Sequence, residues 1–238
     1  MLLIRSALFN LFFFALTPIC SLMVILFRPF GFKASWFWAR LWSRSALAAA
    51  RILCGIHVKV EGQEHLPDEP CVVMGKHQSA METIAMPSLV PPYAWILKRE
   101  LFYIPFFGWA LALMGTIGIR RGNPREAIKQ VIEQGKARLA EKRWLVIFPE
   151  GTRSSVGTTG NYQPGGVVVA QKTCAAILPL ALNTGTCWPK RGFIKTPGTV
   201  IFKFLPLIDA EAVVKTKRNE LLEEIKLRIE TATRELGG

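Results

Sequence analysis

From about position 56 the chain alternates short apolar runs with stretches of helical periodicity. Seven runs read as strands: "HVKVEG" near 57, "CVVMG" near 71, "AWILK" near 94, "GTIGIR" near 115, "WLVIF" near 144, "AILPLAL" near 176 and "TVIFKFLP" near 199. "CVVMG" is apolar at consecutive positions, as a buried strand must be, and it hands over to "KHQSAME" and an apolar stretch that can open a helix. The clearest helix begins at Asn123, with Pro124 at its first helical position and Glu126 placed for a capping box. Ile128, Val131, Ile132, Gly135 and Leu139 then make one face, and "WLVIF" follows directly. Strand, helix and strand in that order form a crossover unit, so the pattern predicts an α/β fold with a mostly parallel central sheet flanked by helices. A last helix from about Lys217 sets Leu222, Ile225, Ile229, Ala232 and Leu236 at helical spacing among charges, as on an amphipathic surface helix.

The first 55 residues follow a different rule. Between Arg5 and Arg28 lie 22 uncharged residues, "SALFNLFFFALTPICSLMVILF". As a helix they would be roughly 33 Å long, enough to cross a bilayer core, with a kink at Pro18. No small-residue cleavage site follows, which sets aside a secretory signal peptide. Next comes "WFWARLWSRSALAAARILCGI", where Trp36, Trp38 and Trp42 interleave with arginines, as in a helix lying at a headgroup boundary. Residues 1–55 are therefore expected to form a membrane-anchoring helical segment and residues 56–238 the α/β domain. Asn10, Thr17 and Pro18 leave open whether the apolar helix spans the bilayer or lies in one leaflet.

Charge sharpens this picture. Of the formal net charge of +13, residues 1–60 carry Arg5, Arg28, Lys33, Arg40, Arg44, Arg51 and Lys59 and no acidic residue. More of these bases follow the anchor than precede it, which places the remainder on the cytoplasmic side of an inner membrane. Because the basic and aromatic residues coincide with the membrane segment, nucleic acid is not expected as a partner. The five cysteines form no C-x-x-C pair and no His/Cys cluster, so neither a disulfide framework nor a metal is expected. "GTTGNYQPGG" is not a P-loop, "GTIGIRRG" lacks the dinucleotide fingerprint, and no G-x-S-x-G elbow occurs.

Three stretches collect polar residues beside strand ends: "KHQSAME" at 76–82, "IRRG" at 119–122 and "FPEGTRSS" at 148–155. In α/β sheets ligands gather at the carboxyl ends of strands. His77 can take a proton from a hydroxyl, and Glu82 can fix its tautomer and stabilise the imidazolium. On these residues alone His77 is as compatible with a structural role, and Ser79-Ala80-Met81-Glu82 also matches a capping box. "FPEGTRSS" suits a phosphorylated, hydroxylated ligand, with Arg153 able to pair with phosphate and Gly151 allowing close backbone approach, yet it also reads as a polar turn. Arg120 and Arg121 at the strand end are equally compatible with solvated charges.

Taken together these blocks resemble those of the 1-acylglycerol-3-phosphate acyltransferases, within the glycerolipid acyltransferase family. "HQSAME" is similar to the family's H-x4-D block, "KRELFYIPFFGWALALMGTIGIRR" to the second, "FPEGTRS" to the third and "AILPLAL" to the fourth. The resemblance implies transfer of a fatty acyl group from an acyl-carrier protein or coenzyme A thioester, a co-substrate rather than a bound cofactor, to the free hydroxyl of a lysophospholipid. It implies His77 as base without an acyl-enzyme, Glu82 as its partner, and Glu150, Gly151, Thr152 and Arg153 at the glycerol phosphate. Arg120 and Lys98 would add positive charge, and Pro179 would shape the acyl side. Two departures stand out: Glu82 replaces the usual aspartate, and "YQPGG" at 162–166 replaces a basic, phenylalanine-led stretch, which leaves the acceptor and donor preference open. Acylation of another lysolipid, such as a lyso-ornithine lipid, and catalytically silent lipid binding are the competing readings.

Overall fold

A computed structural model describes residues 1–120 and 124–238. Its helices are α1 (Leu2–Phe27), α2 (Phe32–Cys54), α3 (Met81–Leu89), α4 (Phe107–Leu113), α5 (Pro124–Ala140), α6 (Gly165–Thr173), α7 (Ala210–Lys215) and α8 (Arg218–Glu235). Its strands are β1 (Ile56–Glu61), β2 (Val72–Gly75), β3 (Tyr93–Lys98), β4 (Ile117–Ile119), β5 (Trp144–Ile147), β6 (Ile177–Leu182) and β7 (Gly198–Phe204). All seven sequence-predicted strands are present, as are the helices expected near 124 and 217. The expected cap Asn123, and Arg121, lie outside the described residues.

The strands form one sheet in the order β1-β7-β6-β2-β5-β3-β4. Only the β6–β7 pair is antiparallel, so β1 and β7 run against the other five. The consequence for function is directional: the carboxyl ends of β6, β2, β5, β3 and β4 all open at one edge. Strand β2 explains its own apolar run. Val73 faces a core shared with α1 to α4, whereas Val72 and Met74 face one shared with α5 to α8. With both faces covered, no position can be polar until the strand ends at Gly75.

The helix expected to open after "KHQSAME" is α3, whereas α4, α6 and α7 were not legible in the pattern. In α6 a β-branched run, Val167 to Val169, is buried in a helix that follows Pro164, so tertiary burial overrides strand propensity. Helices α1 and α2 form a hairpin through Arg28–Phe30 and Gly31 and pack on α3 and α4. Thr17 joins the two, accepting from the Trp42 indole at 3.0 Å. Trp36 departs from the headgroup position expected for it: it is 8% exposed and meets the Tyr93 ring edge-on at 5.2 Å. Here the arginine-tryptophan alternation marks a helix that buries one face in protein.

Helix α1 is apolar nearly all round, and among the described residues it is the one helix long and apolar enough to cross a membrane. Leu3, Ile4, Leu11, Phe14, Ile19 and Leu26 are exposed along it, a surface that suits lipid. Its N-terminal end is fastened to the sheet side. Ser6 Oγ accepts from the Lys195 N–H at 2.9 Å, and Asn10 accepts from the Lys195 ammonium, which lies 4.4 Å from the Trp188 ring centroid.

Candidate active site

The polypeptide leaving β2 carries Lys76, His77 and Gln78 out of the apolar sheet, and His77 is the first of them to reach open space. Its Nδ1 lies 2.8 Å from Glu82 Oε1. An ionised carboxylate can only accept, so Nδ1 carries the proton and Nε2 the lone pair. Glu82 is fully buried, and the same Oε1 accepts from the backbone N–H groups of Gln78 and Ser79, each at 2.7 Å. The two functions weighed from the sequence are thus carried by one oxygen: Glu82 ties down the turn into α3 and holds the imidazole. Its other oxygen accepts from the Thr184 hydroxyl at 2.7 Å. Thr184 follows β6 and lies outside every sequence block singled out above.

The longer glutamate side chain reaches the histidine without slack because the backbone of 78 and 79 converges on it. The imidazole is also stacked on Phe148, with 4.2 Å between ring centroids and 3° between planes. Phe148 opens the loop after β5, and that loop grips His77 at both backbone groups. Glu150 Oε1 accepts from the His77 N–H at 2.9 Å, and the Ser154 N–H donates to the His77 carbonyl at 2.7 Å. The first and third blocks, 71 residues apart at 77 and 148, are therefore one local structure.

A cavity of about 610 Å³ opens beside His77, a size suited to a ligand. Its walls are overwhelmingly apolar. Phe13, Phe14 and Pro18 of α1, Trp42 of α2 and Ala110 of α4 contribute, and His77, Phe148 and Arg153 stand among its lining residues. Arg153 is half-buried, and among the described residues its guanidinium makes no ion pair or hydrogen bond. An unpaired cation beside a greasy cavity is a place for an anionic headgroup with a hydrocarbon tail.

The other expected site residues sort by position. Gly151 turns the loop in the left-handed region, φ +64°, and Thr152 is exposed beside it. Lys98 ends β3 paired with Ile119 of β4, so Lys98 and Arg120 are neighbours at the same sheet edge; both are exposed and neither lines the cavity. Glu150, expected at the glycerol phosphate, points inward instead, with a side chain 0% exposed and bonded to His77, Gly160 and Lys76. Pro179, expected on the acyl side, is buried in β6 and is not on the cavity wall. It sits where β6 exchanges one stretch of β7-side pairing for another, between the Ile177–Ile208 bridge and Leu180–Phe204, a point that tolerates a missing N–H.

Reasoning from the sequence also missed Lys76 and Glu230. Lys76 is fully buried directly before His77, and its ammonium reaches Glu230 Oε1 at 2.8 Å. The available signal was a lysine ending a wholly apolar strand, and a glutamate, Glu230, beside Ile229 on the apolar face of the last helix.

The family described as Acyltransferase matches residues 57–183. The 1-acyl-sn-glycerol-3-phosphate acyltransferase of Pseudomonas aeruginosa is 40% identical over 210 residues, 87% of this chain and 82% of that protein. A protein of the same name from Borreliella burgdorferi is 31% identical over 189 residues, 78% of this chain and 75% of its own. The crystal structure of the 1-acyl-sn-glycerophosphate acyltransferase PlsC from Thermotoga maritima matches with a TM-score of 0.80 at 24% identity, covering 99% of each chain, and so shares the fold.

Proposed function

The chain belongs to the acyltransferase family, and from that premise we propose that it acylates the free hydroxyl of 1-acylglycerol-3-phosphate, giving phosphatidic acid. The observation that carries this reading is the juxtaposition of the His77 imidazole, held by Glu82, with the unpaired Arg153 guanidinium on one apolar cavity. In this reading Arg153 takes the phosphate and the cavity takes a hydrocarbon chain. Lys98 and Arg120 add positive charge along the same edge.

The acceptor hydroxyl donates to His77 Nε2, and its oxygen attacks the thioester carbonyl as the proton transfers. Glu82 stabilises the imidazolium at Nδ1. Collapse of the tetrahedral intermediate breaks the carbon–sulfur bond, and the imidazolium returns its proton to the departing thiolate. No acyl-enzyme forms. The donor is an acyl-carrier protein or coenzyme A thioester, reached from the cytoplasmic face of an inner membrane in which residues 1–55 anchor the enzyme. The exposed apolar length of α1 and the basic bias of residues 1–60 support that placement.

The test is acyl transfer from a thioester to lysophosphatidic acid by membranes carrying the wild type or His77→Ala. Turnover by the first and a loss of at least about a hundredfold in the second is expected. Equal lysolipid binding by both with no turnover by either would overturn the reading in favour of a lipid-binding protein, and turnover only on another lysolipid would overturn the acceptor assignment.

A further inference from the structure

One buried cluster of charges stands outside the machinery just described. Lys76, Glu150 and Glu230 meet beneath the loop after β5, with side chains 0%, 0% and 9% exposed. The Lys76 ammonium lies 2.8 and 3.1 Å from the two Glu230 oxygens, 2.9 Å from the Thr158 carbonyl and 3.3 Å from Glu150 Oε2, so its three N–H bonds are shared among four acceptors. One cation facing two carboxylates leaves an excess negative charge inside the protein. Neutral donors offset it: the Tyr162 hydroxyl at 2.9 Å and the Thr159 hydroxyl at 3.0 Å bind Glu230, while the Gly160 N–H at 3.1 Å and the His77 N–H at 2.9 Å bind Glu150. Burial, and then the neighbouring carboxylates, push the Tyr162 phenol up, so it remains a donor.

We infer that Lys76 and Glu230 are positioning residues for acyl transfer, a buried ion triad through which the C-terminal helix sets the place of His77. This inference rests on the acyl-transfer reading above. The path is short: Glu230 holds Lys76, Lys76 holds Glu150, and Glu150 holds the His77 N–H, while the same loop supplies Phe148 beneath the imidazole and Arg153 on the wall of the same cavity. Folding alone gives little reason to keep this arrangement, because a buried ion pair adds little over an apolar replacement of the same shape. What the triad adds is direction: the one ammonium bridges both carboxylates, and each of the four carboxylate oxygens also accepts from one neutral donor, the His77 N–H, the Gly160 N–H, the Tyr162 hydroxyl or the Thr159 hydroxyl.

The experiment compares purified full-length wild type with Glu230→Gln, Tyr162→Phe, Lys76→Met and the Lys76→Met/Glu230→Gln pair in the same lipid-detergent micelles, scoring kcat, KM for lysophosphatidic acid and thermal unfolding. Glu230→Gln keeps the shape and leaves Lys76 paired with Glu150, so it folds. Its kcat per folded molecule is expected to fall about ten- to a hundredfold, the scale of a displacement of about an ångström at the reacting group. KM should move less than kcat, because the unpaired Arg153 side chain can follow the phosphate by changing rotamer whereas the stacked imidazole cannot follow the hydroxyl. The paired variant should lose less kcat than the losses of Glu230→Gln and Lys76→Met multiplied together, as members of one network do. Tyr162→Phe, which removes a single donor, should show a smaller loss of the same kind and serves if the charged variants do not fold. Wild-type kcat per folded molecule in both Glu230→Gln and Tyr162→Phe, whatever their melting temperatures, would overturn the inference. Absence of turnover in the wild type would instead refute the function on which it rests.

Discussion

Replacing Glu82 by glutamine separates the two tasks that one oxygen performs. The glutamine side chain keeps an oxygen for the Gln78 and Ser79 N–H groups, now each 2.7 Å from Glu82 Oε1, so the turn into α3 survives. What disappears is the negative charge 2.8 Å from His77 Nδ1. A unit charge about 4 Å from the centre of an imidazolium is worth about 4 kcal/mol at an effective dielectric of about 20. The transition state realises part of this as the imidazole gains its proton, so a loss of about 2–4 kcal/mol, or about thirty- to a thousandfold in kcat, is expected. The amide must also turn its nitrogen toward the Thr184 hydroxyl, which can reverse and accept; the fold therefore persists. The assay is initial-rate acyl transfer at saturating lysophosphatidic acid, with circular dichroism and a melting curve on the same sample. A kcat within about threefold of wild type in a protein of unchanged helicity would refute the argument and leave Glu82 a capping residue only.

Further outcomes follow from individual contacts. Arg153→Ala should lower kcat/KM for the phosphorylated acceptor by about ten- to a hundredfold, the loss of a charge-assisted hydrogen bond of about 1.5–3 kcal/mol, chiefly through KM; an unchanged KM would remove Arg153 from the headgroup site. Thr184→Val leaves Glu82 Oε2 without its hydroxyl donor and should cost about 1–3 kcal/mol of stability in a denaturant melt, with a parallel fall in kcat. Ala110→Leu places extra methylenes in the cavity wall, so thioesters or lysolipids of graded chain length should lose the longest member first. Each methylene that no longer fits forfeits about 0.8 kcal/mol, about fourfold in kcat/KM, and a uniform loss across lengths would argue against a chain in that cavity.

The strands were legible because their constraint is local. A strand such as "CVVMG" that is covered on both faces has no choice but to be apolar throughout, and a run of that kind ends where the sheet ends. His77 and Glu82 could be read together because five residues of chain link them and the backbone closes their turn. Thr184, Lys76 and Glu230 were not legible for the opposite reason. Thr184 meets Glu82 from 102 positions away and Glu230 meets Lys76 from 154. The lysine closing an apolar strand and the glutamate beside Ile229 mark two buried charges at most, and nothing in the neighbourhoods of the three residues says which partner each one meets. Glu150 was placed at the substrate by the resemblance of its block, whereas its burial beneath its own loop is a property of packing that a short motif cannot encode. The same holds for Trp36, whose arginine neighbours suggest an interface while its own side chain lies against Tyr93.

Phe13, Phe14 and Pro18 have a consequence for how material enters the cleft. Because part of α1 is also a side of the chamber that holds His77, the anchoring proposed for residues 1–55 would let the greasy end of a guest slide in sideways from the surrounding fat, its tail never wetted. A shortened protein starting at Ile56 would therefore be a vessel missing a plank, not a freed enzyme, and adding back detergent would not rebuild it.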